Sequence, residues 1–274
     1  MQSDANRPTT VMIAAFDGWN DACQAATDVV RHLVRRYEAS EIRHISCDGY
    51  YDYQVSRPMA CHMDGRRRII WPQTTFYEMK VSPTLTLIAQ IAPEPNYRWM
   101  AYCRQSLAIA EECDVDRIVT LGSMFAECPH TRQLPVSVSE DGSHSDLQEC
   151  YDGPVGIPTV LDEMARESGF ETTSMWVSIP QYLGADECAP GTLRLLETLS
   201  GLLGVGLDLG DLEQRAESWR AQASVLTRCN DDLADYVHRL EAGVDGAKTP
   251  TPPVPLDGDA EALVREAEAY LKGL

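Results

Sequence analysis

The run Thr10-Val11-Met12-Ile13-Ala14-Ala15-Phe16, the break Asp17-Gly18-Trp19-Asn20-Asp21, and the series Ala22, Ala25, Ala26, Val29, Val30, Leu33, Val34 and Tyr37 decide the fold class of this chain. The first is β-branched and apolar without interruption, which predicts a buried strand. The second is a polar break. The third repeats at helical spacing and predicts an amphipathic helix, with Asn20 or Asp21 near its cap. Glu41 to Cys47 then predicts a second strand. A strand, helix, strand opening favours a parallel sheet with helices packed against it.

The pattern continues outward. Cys61-His62-Met63 and Arg67-Arg68-Ile69-Ile70-Trp71 flank Asp64-Gly65, a strong hairpin signal. Leu85 to Ala92, Asp116 to Leu121, Leu134 to Ser139 and Thr172 to Ile179 predict further strands. Helices are expected from Pro95-Asn96-Tyr97 to about Cys113, from Leu161 to Ser168 and from Thr192 to Leu203. Gly122-Ser123 is expected to end its strand, and Gly204 and Gly206 to close the last of these helices. The polar stretch from Glu140 to Pro158, rich in Gly and Pro, reads as a long loop.

Residues 1–206 are therefore expected to form an α/β core. Residues 207–242 differ: Leu212, Ala216, Trp219, Ala223, Leu226, Asn230, Leu233, Val237 and Leu240 alternate in steps of four and three. That spacing predicts one long helix with a heptad seam. Asn230 is its one polar member, and a buried Asn there costs stability while fixing register or partner number. Residues 243–257 carry Pro250, Pro252, Pro253 and Pro255 and read as an extended linker. Residues 258–274 read as a short terminal helix with Leu263, Ala267, Tyr270 and Leu274 on one face. This helix either folds back on the long one, or the seam serves a subunit interface.

Acidic residues outnumber basic ones 42 to 23, for a formal charge of −19. Phosphate would be repelled over most of such a surface, which argues against nucleic acid as the partner. The chain, 274 residues long and 44% apolar, can build a core without disulfide staples. The apolar run Val11 to Phe16 is far shorter than the ~20 residues of a membrane span, so no membrane partner is expected. The polar start, Met1 to Arg7, lacks the basic and apolar regions of a signal peptide, so the cytoplasm is the expected location. Nine scattered cysteines, with no Cys-x-x-Cys pair and no zinc-like Cys/His spacing, fit reduced thiols. No metal and no cofactor are expected.

Candidate chemistry is sparse. A P-loop motif is absent, and Gly201 to Gly206 follows a helix rather than a strand, which fits a helix end better than a dinucleotide site. No histidines stand at His-x-x-x-His spacing. Ser123, His130 and Asp17 can form a hydrolase triad only if their strand ends share one edge, and Gly-x-Ser-x-Gly is missing. No catalytic residue is assigned. Polar and aromatic residues do concentrate behind three strands. Asp17, Trp19, Asn20 and Asp21 follow the first; Glu94, Asn96 and Trp99 follow the Leu85 strand; Ser123, His130 and Arg132 follow the Asp116 strand. In a parallel sheet these ten converge on the crevice beyond the strand ends, the default ligand site. Trp19 and Trp99 then supply apolar walls and Arg132 an anion contact. The plainer alternative is that they cap helices and tie loops together.

The stretch Ala14-Ala15-Phe16-Asp17-Gly18-Trp19-Asn20-Asp21-Ala22 resembles the opening motif of the proteasome assembly chaperone 2 family, its actinobacterial branch in particular. Tyr51 to Pro58, Ile69-Ile70-Trp71-Pro72, Glu94 to Trp99, Pro129-His130-Thr131-Arg132 and Tyr151 to Ile157 resemble that branch too. The likeness covers roughly residues 10 to 242. It implies a three-layer α/β/α core like that of phosphorylases and peptidyl hydrolases, with a mixed, largely parallel sheet and a C-terminal helical segment. It implies a homo-oligomer, a trimer being one such size, and proteasome subunits as the class of partner. It carries over no catalytic residue. The functional expectation is a non-catalytic oligomeric protein with an interaction or assembly role. The alternative is an enzyme that binds or hydrolyses nucleosides or peptides in the crevice. Related chaperones often end in a hydrophobic residue, a tyrosine and one last residue. This sequence ends Tyr270-Leu271-Lys272-Gly273-Leu274, so docking through the tail is not expected.

Overall fold

In the opening run, alternate side chains go to opposite faces of a sheet, and both faces are covered. Val11, Ile13 and Ala15 pack in one core cluster, and Met12, Ala14 and Phe16 in another. This double burial is why the run shows no polar alternation. The computed structural model describes residues 7–140, 153–184 and 187–246. The strands are β1 (Thr9–Asp17), β2 (Ser40–Ile45), β3 (Met59–Met63), β4 (Arg66–Ile70), β5 (Thr74–Ser82), β6 (Leu85–Pro93), β7 (Arg117–Ala126), β8 (Val136–Glu140) and β9 (Glu171–Pro180). The helices are α1 (Ala25–Arg36), α2 (Trp99–Glu112), α3 (Ile157–Glu167), α4 (Ala189–Leu203), α5 (Leu212–Arg228) and α6 (Asp231–Gly246).

Seven strands form one sheet in the order β2-β5-β6-β1-β7-β9-β8. The central four, β6, β1, β7 and β9, run parallel; β5 and β8 are antiparallel to their neighbours. Helices α1 and α4, with α5 behind them, cover the face of Val11, Ile13 and Ala15. Helices α2 and α3 cover the other. The result is a three-layer α/β/α core with a mixed, largely parallel sheet. The β3–β4 hairpin stands outside that sheet as a separate two-stranded ribbon. No helix among the described residues is long and apolar enough to cross a membrane, and every described cysteine is a free thiol.

Several elements differ from the sequence expectation. Strand β7 does not stop at Gly122-Ser123 but pairs with β9 as far as Ala126. Gly122 is required by space, because a Cβ there would lie 2.5 Å from the Trp176 ring. Strand β5 was not anticipated at all. Helix α3 begins at Ile157 with a proline in its first turn, inside what reads as loop; residues 141–152 of that loop lie outside the described residues.

The largest correction concerns the C-terminal helix. There is no single helix over 207–242: α5 ends at Arg228 and α6 begins at Asp231. The inward face of α5 is Leu212, Ala216, Ala223 and Thr227, with Trp219 packed on the core, and Leu226 is 62% exposed. That stripe follows the ordinary helical period and lies against α4, so it is a packing face within the domain rather than a heptad seam. Asn230 is exposed, and its Oδ1 accepts the Leu233 backbone N–H at 3.1 Å. It caps α6. Val237 is buried, while Leu233 and Leu240 are half-buried. Gly243 lies inside α6 rather than in a linker, and the remainder of the expected linker and the terminal helix fall outside the described residues. Replacing Asn230 with Leu is therefore expected to lower stability, as Asn230→Ala should, by about 1 kcal/mol for a lost cap. A rise in the urea midpoint of either variant would restore the seam.

Candidate functional site

Parallel register puts the ends of β1, β6 and β7 on one edge. Asp17 lies opposite Pro93, and Ala15 opposite Leu121. Three of the expected ten residues form a compact knot there. Asn20 Nδ2 donates to Glu94 Oε1 at 2.7 Å, and the backbone N–H of Ile157 donates to the same oxygen at 3.0 Å. The Glu94 carboxylate thus caps the start of α3, where an anion is favoured. The Asp17 carbonyl accepts the Glu94 N–H at 2.8 Å. Gly18, at φ +134°, makes the turn between Asp17 and Asn20 in a conformation that favours glycine. Trp19 projects from this turn, 69% exposed, and Asp17 is exposed beside it.

Asp21 and Ser123 are buried and bonded to each other's segments. Asp21 accepts the N–H groups of Ala26 at 2.8 Å and Thr27 at 3.3 Å, and the Thr27 hydroxyl. It caps α1 across a turn in which Cys23 and Gln24 both adopt left-handed backbone conformations. Burial pushes its carboxyl above the ordinary range, against the pull of those hydrogen bonds. Ser123 Oγ donates to the Ala22 carbonyl at 2.9 Å and lies 3.3 Å from Asp21 Oδ1. Asn96 and Trp99 hold the chain on the far side. Asn96 Oδ1 accepts the Asp52 N–H at 2.8 Å, which fixes the loop after β2, and Trp99 packs half-buried on the α2 side of the core. Trp99 is therefore not a crevice wall.

His130 and Arg132 do not join this group, which corrects the expected anion contact. His130 is 1% exposed, and its Nε2 lies 3.2 Å from Ser224 Oγ on α5. The Tyr182 hydroxyl accepts the His130 backbone N–H at 2.8 Å and sits 2.8 Å from Nδ1. The His130 ring is thus tied through one nitrogen to Tyr182 and through the other to Ser224. Burial lowers the affinity of His130 for a proton, with the Glu241 charge opposing. Arg132 pairs with Glu241 at 3.3 Å and Asp245 at 2.9 Å, both on α6. Thr131 also donates to Glu241. The tripeptide His130-Thr131-Arg132 is thus a clasp for the two C-terminal helices. Ser123 and His130 do not join Asp17 in a triad, since the Ser123 hydroxyl is spent on the Ala22 carbonyl and the His130 ring on Tyr182 and Ser224.

Tyr182 and Tyr236, whose rings meet edge to face at 5.7 Å, belong to the clasp and were not anticipated. Tyr182 was findable: it follows β9, which ends on the same edge as the other parallel strands. Among the described residues no group of three or more His, Cys, Asp or Glu side chains is placed to hold a metal ion.

A model of the PAC2 family matches residues 15–227 of the chain. The chain is similar to a proteasome-assembly chaperone homologue of Mycobacterium tuberculosis, at 33% identity over 83% of this chain and 99% of that one, with a TM-score of 0.75. It is equally similar to a PAC2 family protein of Streptomyces avermitilis: 33% identity, the same coverage, and a TM-score of 0.76. An archaeal proteasome activator from Pyrococcus furiosus shares the fold at 15% identity over 82% of this chain and 96% of that one, with a TM-score of 0.62. No curated protein matches the chain.

Proposed function

The chain belongs to the PAC2 family, and from that premise we propose that it is a non-catalytic, self-associating assembly factor of the cytoplasm whose partners are other proteins. One observation carries this reading. The β3–β4 hairpin projects from the sheet with Met59, Met63, Ile69, Ile70 and Trp71 between 47% and 70% exposed. Clustered apolar exposure of this kind marks an interaction surface. A lone two-stranded ribbon is also marginal in water and gains from being covered. The Tyr53 ring meets Trp71 edge-on at 5.0 Å, so the base of the ribbon is tied to the body.

The similarity to a proteasome-assembly chaperone homologue and to an archaeal proteasome activator makes proteasome subunits the partner class this reading favours. The competing reading, an enzyme for nucleosides or peptides, loses its clearest groups, because Ser123 and His130 serve as internal ties. Sedimentation tests the proposal. The intact chain is expected to sediment as an oligomer, a trimer being one size, and a chain with residues 59–70 replaced by a short Gly-Ser linker as a monomer with an unchanged helix signal. An intact chain that sediments as a monomer at micromolar concentration overturns it.

A further inference from the structure

We propose that the hairpin of one copy seats in the groove between α2 and α3 of the next. This rests on the self-association reading and names the socket. The ladder sorts the ribbon's two faces: Met59 pairs with Ile70, Cys61 with Arg68 and Met63 with Arg66. Partners across a ladder share a face, so one side is apolar at its base and carries Arg66 and Arg68 toward its tip. Methionine and arginine are the side chains that interfaces favour.

The groove has the matching pattern. It is a cleft of about 440 Å³ lined by Leu107, Ala108 and Met164, with Met100 standing 61% exposed and the carboxylates of Glu111 and Glu167 outnumbering its one cation, Arg104. Each strand of the ribbon is 5 residues, about 17 Å long. Helix α2, at 14 residues, offers about 21 Å. Arg66 and Arg68 then face Glu111 and Glu167 while Met59 and Ile70 meet the apolar lining. A cleft between α4 and α5, by contrast, is lined chiefly by Arg and Glu side chains and offers less apolar surface. A basic arm on a chain of net charge −19 finds its complement on a second copy of that chain. Hairpin and groove are different patches, so the contact builds either a two-fold pair in which each copy fills the other's groove or a head-to-tail ring.

A charge swap tests the pairing by sedimentation equilibrium, with thermal melts confirming that each variant is folded. Arg66→Glu with Arg68→Glu should weaken association at least tenfold, and Glu111→Arg with Glu167→Arg should do the same. The two sets combined in one chain should restore the oligomer. Dissociation without restoration, or oligomers that survive both single sets, overturns the socket. If hairpin replacement still gives a monomer in that case, self-association through the hairpin stands and only the groove is wrong. If the intact chain is itself a monomer, the reading beneath falls as well.

Discussion

Gly156→Ala is expected to destabilise the chain by roughly 2–4 kcal/mol, the sum of an overpacking cost and a disturbed hydrogen bond to a charged group. The reason is space alone. Gly156 has φ −97°, which any residue adopts. A Cβ built there, however, overlaps Oδ1, Nδ2 and Cγ of Asn20. Asn20 has nowhere to go: it is 1% exposed, and its Nδ2 is held by Glu94. Pushing it aside strains the carboxylate that caps α3 and the turn that follows β1. Chemical denaturation of a double-mutant cycle checks this. Asn20→Ala removes the obstacle, so Gly156→Ala in that background should cost far less, with a coupling energy above about 1.5 kcal/mol. A cost below about 0.5 kcal/mol for the single variant would show that the three loops are not tightly knotted at this point.

That knot also shows where sequence reading reaches and where it stops. Val11 to Phe16 was legible because a strand buried on both faces has no polar residue to break the run. Strand β5 was not, because Glu78 and Lys80 face outward beside the edge strand β2 and dilute the pattern. The step of three from Ala223 to Leu226 mimics a heptad, yet the helix turns Thr227 inward instead, and only the position of α4 decides that. Parallel strands fix which edge the ten candidate residues occupy, and that much followed from the βαβ opening. What each side chain reaches did not follow. Arg132 and Glu241 are separated by 109 positions and meet only because α6 returns to the strand ends. The opening motif Asp17 to Asp21 reads equally as a ligand loop or a helix entry, since both need Asp and Asn next to a glycine turn.

Acidification should loosen α6 while the core stays folded. Helix α6 buries Val237, half-buries Leu233 and Leu240, and is tied to the body by polar and aromatic contacts: Arg132 with Glu241 and Asp245, Thr131 with Glu241, and Tyr236 with Tyr182, Gln181 and Glu127. Beneath it, His130 ties Tyr182 to α5. Burial holds the pKa of His130 below its ordinary value, so the docked form resists the proton that a released form accepts. Its contribution is complete above the ordinary histidine range near about 6.5 and is lost as pH falls through that range toward the lowered value. With the second proton both ring nitrogens become donors, one beside the Tyr182 hydroxyl that already accepts the His130 N–H and one beside Ser224. Glu241 behaves as a carboxylate held below its usual range, chiefly by the Thr131 hydroxyl, and its contribution fades at lower pH than that of His130. His238 lies 3.2 Å from Glu241 Oε2, so His238→Gln serves as the control. Amide hydrogen-exchange protection of α6 is the measurement. It should fall several-fold between about pH 7.5 and about pH 5.5 while protection of β1 and β7 holds. His130→Gln should flatten that dependence, and Arg132→Ala should lower α6 protection at both values. Equal protection of α6 at the two pH values in the unaltered chain would mean that His130 is only a packed core residue and the clasp rests on the ion pairs alone.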